Sequence, residues 1–244
     1  MWKTIAGRCI YHLPSGLKVH QNALYRWLTL GSNALQTLIS RRHPETPRLS
    51  YIHHLTIAAR DNPGNCCLLG LGGAGVAHAL SPYLNKLQLI AVESSHEVIE
   101  TAKKYFMTNC LENLSIIHQD ANLFVQRDTT CYQHFLIDIF DAYSFPAHCN
   151  NLCFFTNCRN RLLPDGILAV NLANLQEQWP IFSILRELFG NRTIALPVKG
   201  TANMIILACN NDSVLPLLHL IKNSRDLKKL VWDERWGYIA ELNF

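Results

Sequence analysis

Residues 66–93 read CCLLGLGGAGVAHALSPYLNKLQLIAVE, and this stretch decides the fold. An apolar run, Cys66, Cys67, Leu68 and Leu69, stops at the turn Gly70-Leu71-Gly72-Gly73-Ala74-Gly75, and a second, largely apolar run over 87–92 ends in Glu93. The pattern is strand, glycine turn, helix, strand and then an acid. Gly70, Gly72 and Gly75 fit the spacing G-x-G-x-x-G, in which glycines let a ligand approach the backbone and the following helix presents free N–H groups. A carboxylate closing the second strand is placed to accept hydrogen bonds from a ribose diol. Alone, the pattern specifies a nucleoside-containing ligand and no particular chemistry.

The alternation continues downstream. Strands are expected at 114–118, 135–139 and 167–172, and helices at 96–106, 150–163 and 180–189, the last opened by Pro180 at a position where a helix start tolerates proline. Pro164-Asp165-Gly166 reads as a turn into the fifth strand. Such alternation argues for a parallel sheet covered by helices on both faces. Residues 193–197 and 203–209 form a final strand pair, and the short link at 198–202 cannot carry a crossover helix, so this pair is antiparallel. A Rossmann-like parallel sheet finished by an antiparallel hairpin resembles the seven-stranded class I S-adenosylmethionine-dependent methyltransferase fold. The dinucleotide-binding fold opens with the same glycines and acid. Gln119-Asp120-Ala121 after the third strand, an acid-small pair where adenine would lie, and Asp138 closing the fourth favour an adenosyl sulfonium over NAD, by fold-level analogy.

Residues 1–60 read differently. Turn signals at Pro14-Ser15-Gly16 and Gln21-Asn22 separate short alternating runs, Leu17-Lys18-Val19 and Tyr25-Arg26-Trp27-Leu28, which suit a small β-meander. Arg41-Arg42-His43-Pro44 with Pro47 reads as a loop. Residues 49–60 have helical spacing, with Leu49, Ile52, Leu55 and Ala59 on one face, until Asp61-Asn62-Pro63-Gly64 stops them. The expected organisation is a β-rich extension with a connecting helix over 1–60 and a nucleoside-binding catalytic domain over 61–244.

Composition narrows the function classes. At 244 residues, 49% hydrophobic and 16% charged, the chain holds material for one compact core plus a small extension. The net charge of +4 is spread over pairs such as Arg41/Arg42 and Lys103/Lys104, with no long basic tract, so no nucleic-acid partner is expected. No apolar run reaches the ~18 residues that cross a bilayer. Residues 1–10 lack the sustained apolar region of a signal peptide, so no membrane partner and a cytoplasmic location are expected. Several of the nine cysteines sit inside apolar runs (Cys66, Cys67, Cys209), which suits reduced thiols. The spacing of His148, Cys149, Cys153 and Cys158 matches neither a zinc knuckle nor an iron–sulfur motif, so no metal is expected.

Residues 136–143, LIDIFDAY, run from a strand into Asp138 and Asp141 on one short loop. Paired carboxylates orient a cationic amine and accept its proton, because an amine must lose its charge before its lone pair attacks carbon. Mutual repulsion raises one carboxyl pKa, and a bound ammonium relieves it. The bland alternative for Asp141 is that it caps its own turn. His53 and His54, adjacent on a helix, point to different faces and read as structural. Trp232, Trp236 and Tyr238 either pack a tail onto the core or line a substrate pocket.

Taken in order, the turn at 70–75, Ala91-Val92-Glu93, Gln119-Asp120-Ala121, Asp138-x-x-Asp141 with Pro146-Ala147, and LPDGILAVN at 163–171 resemble the spermidine/spermine synthase (polyamine aminopropyltransferase) family. Upstream, Arg26-x-Leu28-x-Leu30-Gly31, Leu35-Gln36-Thr37 and Tyr51 resemble its N-terminal β-domain and connecting helix, so the resemblance covers about residues 10–210. It implies that Gln36, Glu93, Asp120 and Ala121, with Gly70, Gly72, Gly73 and Gly75 of the turn, contact a nucleoside co-substrate, S-adenosylmethionine or its decarboxylated form. It implies Asp138 and Asp141 as catalytic carboxylates, Asp141 also binding a small-molecule amine or polyamine beside Tyr51 and Tyr143, and a homodimer joined through the N-terminal region. The sequence departs from the family at Gly73, where an aspartate holds the aminopropyl amine. It also departs at Asp141-Ala142, where the family has Asp-Pro, and at Tyr51-Ile52-His53, where it has Tyr-His-Glu. The family's Tyr-x-Gln has no counterpart around 15–18. Two further readings stay open: an S-adenosylmethionine-dependent methyltransferase of unknown acceptor, and a non-catalytic binding protein.

Overall fold

The structure is a computed structural model and describes residues 2–32, 34–83, 85–140 and 144–243. Asp141, Ala142 and Tyr143 therefore lie outside the described residues.

The first strands, β1 (Arg8–His12), β2 (Leu17–Gln21), β3 (Tyr25–Leu30) and β4 (Leu35–Ser40), form an antiparallel meander in that order. The Asn22 side chain accepts the Leu24 and Tyr25 N–H groups and closes the second turn. Sequence patterning reaches only β3, while β4 adds Gln36 and Thr37 to the edge facing the larger sheet. The inner face of the meander, Leu17, Val19, Leu28 and Ile39, packs on Val98 and Phe106 of the main body. The expected helix over 49–60 is two short ones, α1 (Tyr51–Leu55) and α2 (Ile57–Asp61). They break at Thr56, whose hydroxyl donates to the Ile52 carbonyl at 2.7 Å instead of facing solvent. Ile52, Leu55, Ile57, Ala58 and Ala59 are buried in the main core.

The alternating segment runs β5 (Cys66–Leu69), α3 (Gly75–Leu80), β6 (Leu89–Glu93), α4 (His96–Tyr105), β7 (Leu114–His118), α5 (Ala121–Arg127) and β8 (Tyr132–Ile137). It continues through α6 (Leu152–Asn160), β9 (Leu162–Leu172), α7 (Leu175–Phe189), β10 (Thr193–Pro197) and β11 (Met204–Cys209). Strands β5 to β9 pair in parallel, and β11 is antiparallel to both β9 and β10. The order β10-β11-β9-β8-β5-β6-β7 is the expected seven-stranded arrangement with its terminal hairpin. A buried cluster lies on each face of this sheet, Leu68, Leu136 and Ala169 on one side and Leu69, Ile137 and Val170 on the other. That is what continuous apolar strands specify.

Three local expectations are corrected. Helix α7 starts at Leu175, not Pro180, because Asn174 caps it by accepting the Gln176 N–H, which leaves the proline inside the helix. Pro164-Asp165-Gly166 is a bulge within β9, marked by Asp165 at φ 62° and a register shift against β8. The sheet has nine strands in place of seven. After α8 (Leu215–Asn223), the hairpin β12 (Leu227–Asp233) and β13 (Gly237–Leu242) adds to the β10 edge, with β13 parallel to β10. Trp232 and Tyr238 meet on that hairpin, and Trp236 packs on Trp179 and Phe182 of α7. These aromatics belong to the packed tail and line neither of the site cavities described below. Among the described residues no helix is long and apolar enough to cross a membrane, and all nine cysteines are unbridged.

Candidate functional site

Strand order reverses between β5 and β8, and loops leaving neighbouring strands at such a point diverge and open a crevice. The Asp138 N–H donates to the Leu69 carbonyl (2.9 Å) and the Gly70 N–H to the Val92 carbonyl (2.8 Å), so the sheet ladder carries both residues into that crevice. Gly70 has φ 92°, and a Cβ there would stand 2.2 Å from the Asp138 carbonyl oxygen. The first glycine of the motif thus allows the two loop starts to touch and fixes where Asp138 emerges.

Asp138 is held from two sides. The Tyr51 hydroxyl donates to Oδ2 at 2.9 Å and the Asn171 amide to Oδ1 at 2.8 Å, while Asn203 in turn donates to Asn171 Oδ1 at 2.8 Å. Desolvation in this crevice raises the Asp138 carboxyl above its ordinary value, and the hydrogen bonds from Asn171 and Tyr51 partly oppose it. Burial and the adjacent carboxylate push the Tyr51 phenol well up, so it stays a donor.

Two cavities meet at this carboxylate. The first, about 250 Å³, lies under the meander and is lined by Gln36, Gly70, Glu93, Asp120, Ala121 and Asp138. The second, about 410 Å³, is lined by Gln36, Arg48, Tyr51, Asp138, Asn171 and Asn203 among others. Gly72 lines both, and Gly75 the second. Every described candidate except Gly73 thus borders one cavity or the other. Asp141 and Tyr143 fall outside the described residues, and no contact of theirs is assigned.

The N–H groups of the glycine turn are already engaged within the chain. The Leu71 and Gly72 N–H groups, at 3.1 and 3.4 Å, point to Glu93 Oε2, and the Gly73 N–H donates to Thr37 Oγ1 at 2.8 Å. A pyrophosphate needs such donors for itself, whereas here they serve a carboxylate that repels phosphate. Glu93 Oε1 takes the Ser95 N–H at 2.9 Å and keeps acceptor capacity toward the first cavity. The arrangement suits a nucleoside without phosphate and with positive charge. Gly73 faces neither cavity: a Cβ there would meet Thr37 side-chain atoms at 2.9 Å and Phe106 at 3.0 Å. The place of the family's aminopropyl-binding aspartate is therefore closed.

Asp120 caps α5, one oxygen accepting the Leu123 N–H at 3.0 Å and the other meeting His148 Nε2 at 2.8 Å. Burial works against its ionisation, but the Leu123 and His148 hydrogen bonds outweigh it and hold the carboxyl below its usual value. His148, noticed in the sequence only as a doubtful metal ligand, thus lines the first cavity beside Asp120. Cys149 and Cys158 are buried while Cys153 is exposed, and no group of three potential metal ligands occurs among the described residues. His54 is buried with Nδ1 on the Ser50 carbonyl at 3.0 Å, and neither it nor His53 borders a cavity.

Sequence reasoning missed Thr37, Asn171, Asn203, Arg48 and the pairing of His148. Asn171 left a signal, as a polar residue ending the apolar run ILAVNL. Thr37 stood only inside the motif Leu35-Gln36-Thr37 with no role of its own, and Asn203 and Arg48 left no signal, because the residues they meet are remote in the chain.

No protein-family model matches the chain. It is similar to a polyamine aminopropyltransferase of Chromobacterium violaceum, 23% identical over 214 residues, covering 86% of this chain and 82% of the relative. A polyamine aminopropyltransferase of Neisseria meningitidis is 27% identical over 188 residues, covering 75% and 72%. Among solved structures it resembles spermidine synthase from Thermotoga maritima, with TM-score 0.67, 17% identity and coverage of 91% and 79%. It also resembles human methyltransferase-like protein 13 in complex with SAH, with TM-score 0.59, 15% identity and coverage of 77% and 96%. The fold is thus the Rossmann-like one shared by these synthases and methyltransferases, and the fold alone does not choose between their chemistries.

Proposed function

We propose that the chain is a spermidine synthase-like transferase that moves an aminopropyl group from decarboxylated S-adenosylmethionine to an amine. The observation that carries this reading is Asp138, a carboxylate of raised pKa standing where the two cavities meet. The two curated relatives, both named polyamine aminopropyltransferases, support the same class of transfer. In this reading the first cavity holds the nucleoside, with Glu93 on the ribose and Gln36, Asp120 and Ala121 around the base. The second holds the amine, beside Tyr51, and Asp141 and Tyr143, which lie outside the described residues, keep the amine-binding roles that the family resemblance implies. Asp138 takes a proton from the ammonium, the freed nitrogen attacks the carbon next to the sulfonium, and the carbon–sulfur bond breaks to release 5′-methylthioadenosine. No metal enters. Residues 61–244 supply the glycine turn, Glu93, Asp120 and Asp138, residues 1–60 add Gln36 and Tyr51 to the cavity walls, and the enzyme is cytoplasmic and pairs with a second copy through its N-terminal region.

The second reading, methyl transfer from intact S-adenosylmethionine, draws support from the closed position at Gly73. Incubation with each donor and a panel of amines separates them: 5′-methylthioadenosine is the expected product, whereas S-adenosylhomocysteine would establish methyl transfer. Asp138→Asn is expected to abolish turnover and leave nucleoside binding intact. A wild type that binds nucleoside and releases neither product from any amine would leave the non-catalytic binder standing.

A further inference from the structure

Two asparagines meet beside Asp138 at the end of the β9–β11 ladder. Asn171 opposes Ile205 in that ladder, and Asn203 stands two residues before Ile205, which makes it the diagonal neighbour of Asn171 on the same sheet face. Both line the second cavity. Asn171 is 2% exposed, and its amide is engaged at both ends: Nδ2 donates to Asp138 Oδ1 and Oδ1 accepts from Asn203 Nδ2, each at 2.8 Å. The backbone of Asn203 is fixed. Its carbonyl accepts the Val198 N–H at 3.0 Å, and its own N–H donates to Thr201 Oγ1 at 3.1 Å. Gln178 of α7, also buried, ties the two strand ends together. Its Nε2 donates to the carbonyls of Leu172 at 3.3 Å and Ala202 at 2.6 Å, the residues next to Asn171 and Asn203.

The two ends of an asparagine amide have nearly the same shape and opposite hydrogen-bonding character, so its partners decide which end faces a carboxylate. With its oxygen toward Asp138, Asn171 would set an acceptor against the ionised carboxylate, whereas its nitrogen there stabilises the charge. The Asn203 donor on Asn171 Oδ1 holds the second arrangement and polarises the amide along the chain of hydrogen bonds. We propose that Asn203 is a positioning residue for the transfer: it keeps the Asn171 nitrogen on Asp138, and Gln178 keeps Asn203 within reach of Asn171. Asn203 thus acts on the proton-accepting carboxylate without touching it. The Asn171 bond is one of two that oppose the upward pull of desolvation on Asp138, so loosening it lets that ionisation move higher. The proposal deepens the aminopropyl-transfer reading and rests on it for the use to which Asp138 is put.

Titration of Asp138 in the full chain tests this without any substrate. In protein carrying carbon-13-labelled aspartate carboxyls, the Asp138 resonance is identified by its loss in Asp138→Asn and followed against pH. Asn171→Leu removes a hydrogen bond to a charged group and should raise the Asp138 midpoint by about one to two pH units. Asn203→Leu, which keeps the volume and removes the donor, should raise it by roughly half as much. The double variant should titrate where Asn171→Leu alone does, because the second change has nothing left to act through. A merely structural role for Asn203 would not produce that equality together with the single-variant shift. An Asp138 midpoint unmoved by Asn203→Leu, or moved as far in the Asn171→Leu background as in wild type, overturns the proposal. If Asn203→Leu does not fold, Asn203→Ala makes the same deletion with less bulk and is read in its place. Release of 5′-methylthioadenosine is measured separately. Its absence from wild type with every amine removes the aminopropyl reading while the titrations still decide the role of Asn203; an active wild type with additive variants removes that role and keeps the reading.

Discussion

In the proposed transfer a single residue, Asp138, sets the chemistry. Only its ionised form accepts a proton, and desolvation raises that ionisation above its ordinary value. Activity should therefore rise with pH through this raised value, giving kcat/KM an acid limb displaced upward. The Tyr51 hydroxyl stabilises the ionised form, so Tyr51→Phe should move that limb higher still. A hydrogen bond to a charged acceptor contributes about 1.5–3 kcal/mol, which corresponds to a displacement of roughly one to two pH units. A limb that stays in place in the variant would mean that Asp138 is not the group being read. Gly73 belongs to the same scale. Restoring the family's acid by Gly73→Asp forces Thr37 and Phe106 apart, with an expected loss of about 1–3 kcal/mol of stability and no gain in activity. Thermal unfolding and a turnover assay check both parts.

Elements decide how the cavities are walled. Helix α5 starts beneath the first cavity because Asp120 caps it, so one residue serves helix and pocket. The two roles separate by substitution: Asp120→Asn keeps the capping oxygen and should leave stability nearly unchanged while weakening nucleoside binding, whereas Asp120→Ala should also lose about 1 kcal/mol. Equal unfolding midpoints for the two variants would argue against the cap. At the opposite end, β13 pairs with β10, and Leu217, Leu218, Ile221, Ala240 and Leu242 enter the main core. Removal of residues 213–244 exposes both that apolar surface and the β10 edge. The truncated chain should aggregate under conditions where the whole chain stays dispersed, as light scattering would report.

At the scale of the whole molecule, acid sensitivity follows from histidines folded in their neutral form. His134 is buried in β8 with Nε2 2.6 Å from the Asn62 carbonyl and Nδ1 without a partner, and burial lowers its pKa to about 4. His54 and His78, also buried, are lowered for the same reason. A histidine whose folded pKa lies below its unfolded value lends full stability above about pH 6.5 and loses it as pH falls toward the folded value. Denaturant midpoints should therefore fall between pH 6.5 and 4, with His134 alone accounting for on the order of 3 kcal/mol. A flat profile across that window would show that His134 is not buried as a neutral base.

The residues that could be read from sequence are those whose meaning is local. The glycine turn, Glu93 at the end of β6, Asp138 at the end of β8 and the close pairing of β10 with β11 follow from period, turn chemistry and connection length, which act over a few neighbouring residues. The same locality explains the misplaced start of α7, where Pro180 was a louder signal than the Asn174 cap. The last hairpin lacked any pattern tying it to β10, and its place in the sheet came only from a partner strand far away in the chain. Sequence by itself determined a Rossmann-like α/β chain with a glycine turn and a carboxylate at the switch point. Tertiary structure alone decided that the turn's N–H groups serve Glu93 and Thr37, that Tyr51 and Asn171 hold Asp138, and that Gly73 is closed. Each of these is a contact between side chains and backbone brought together by folding, and distance along the chain carries no information about them.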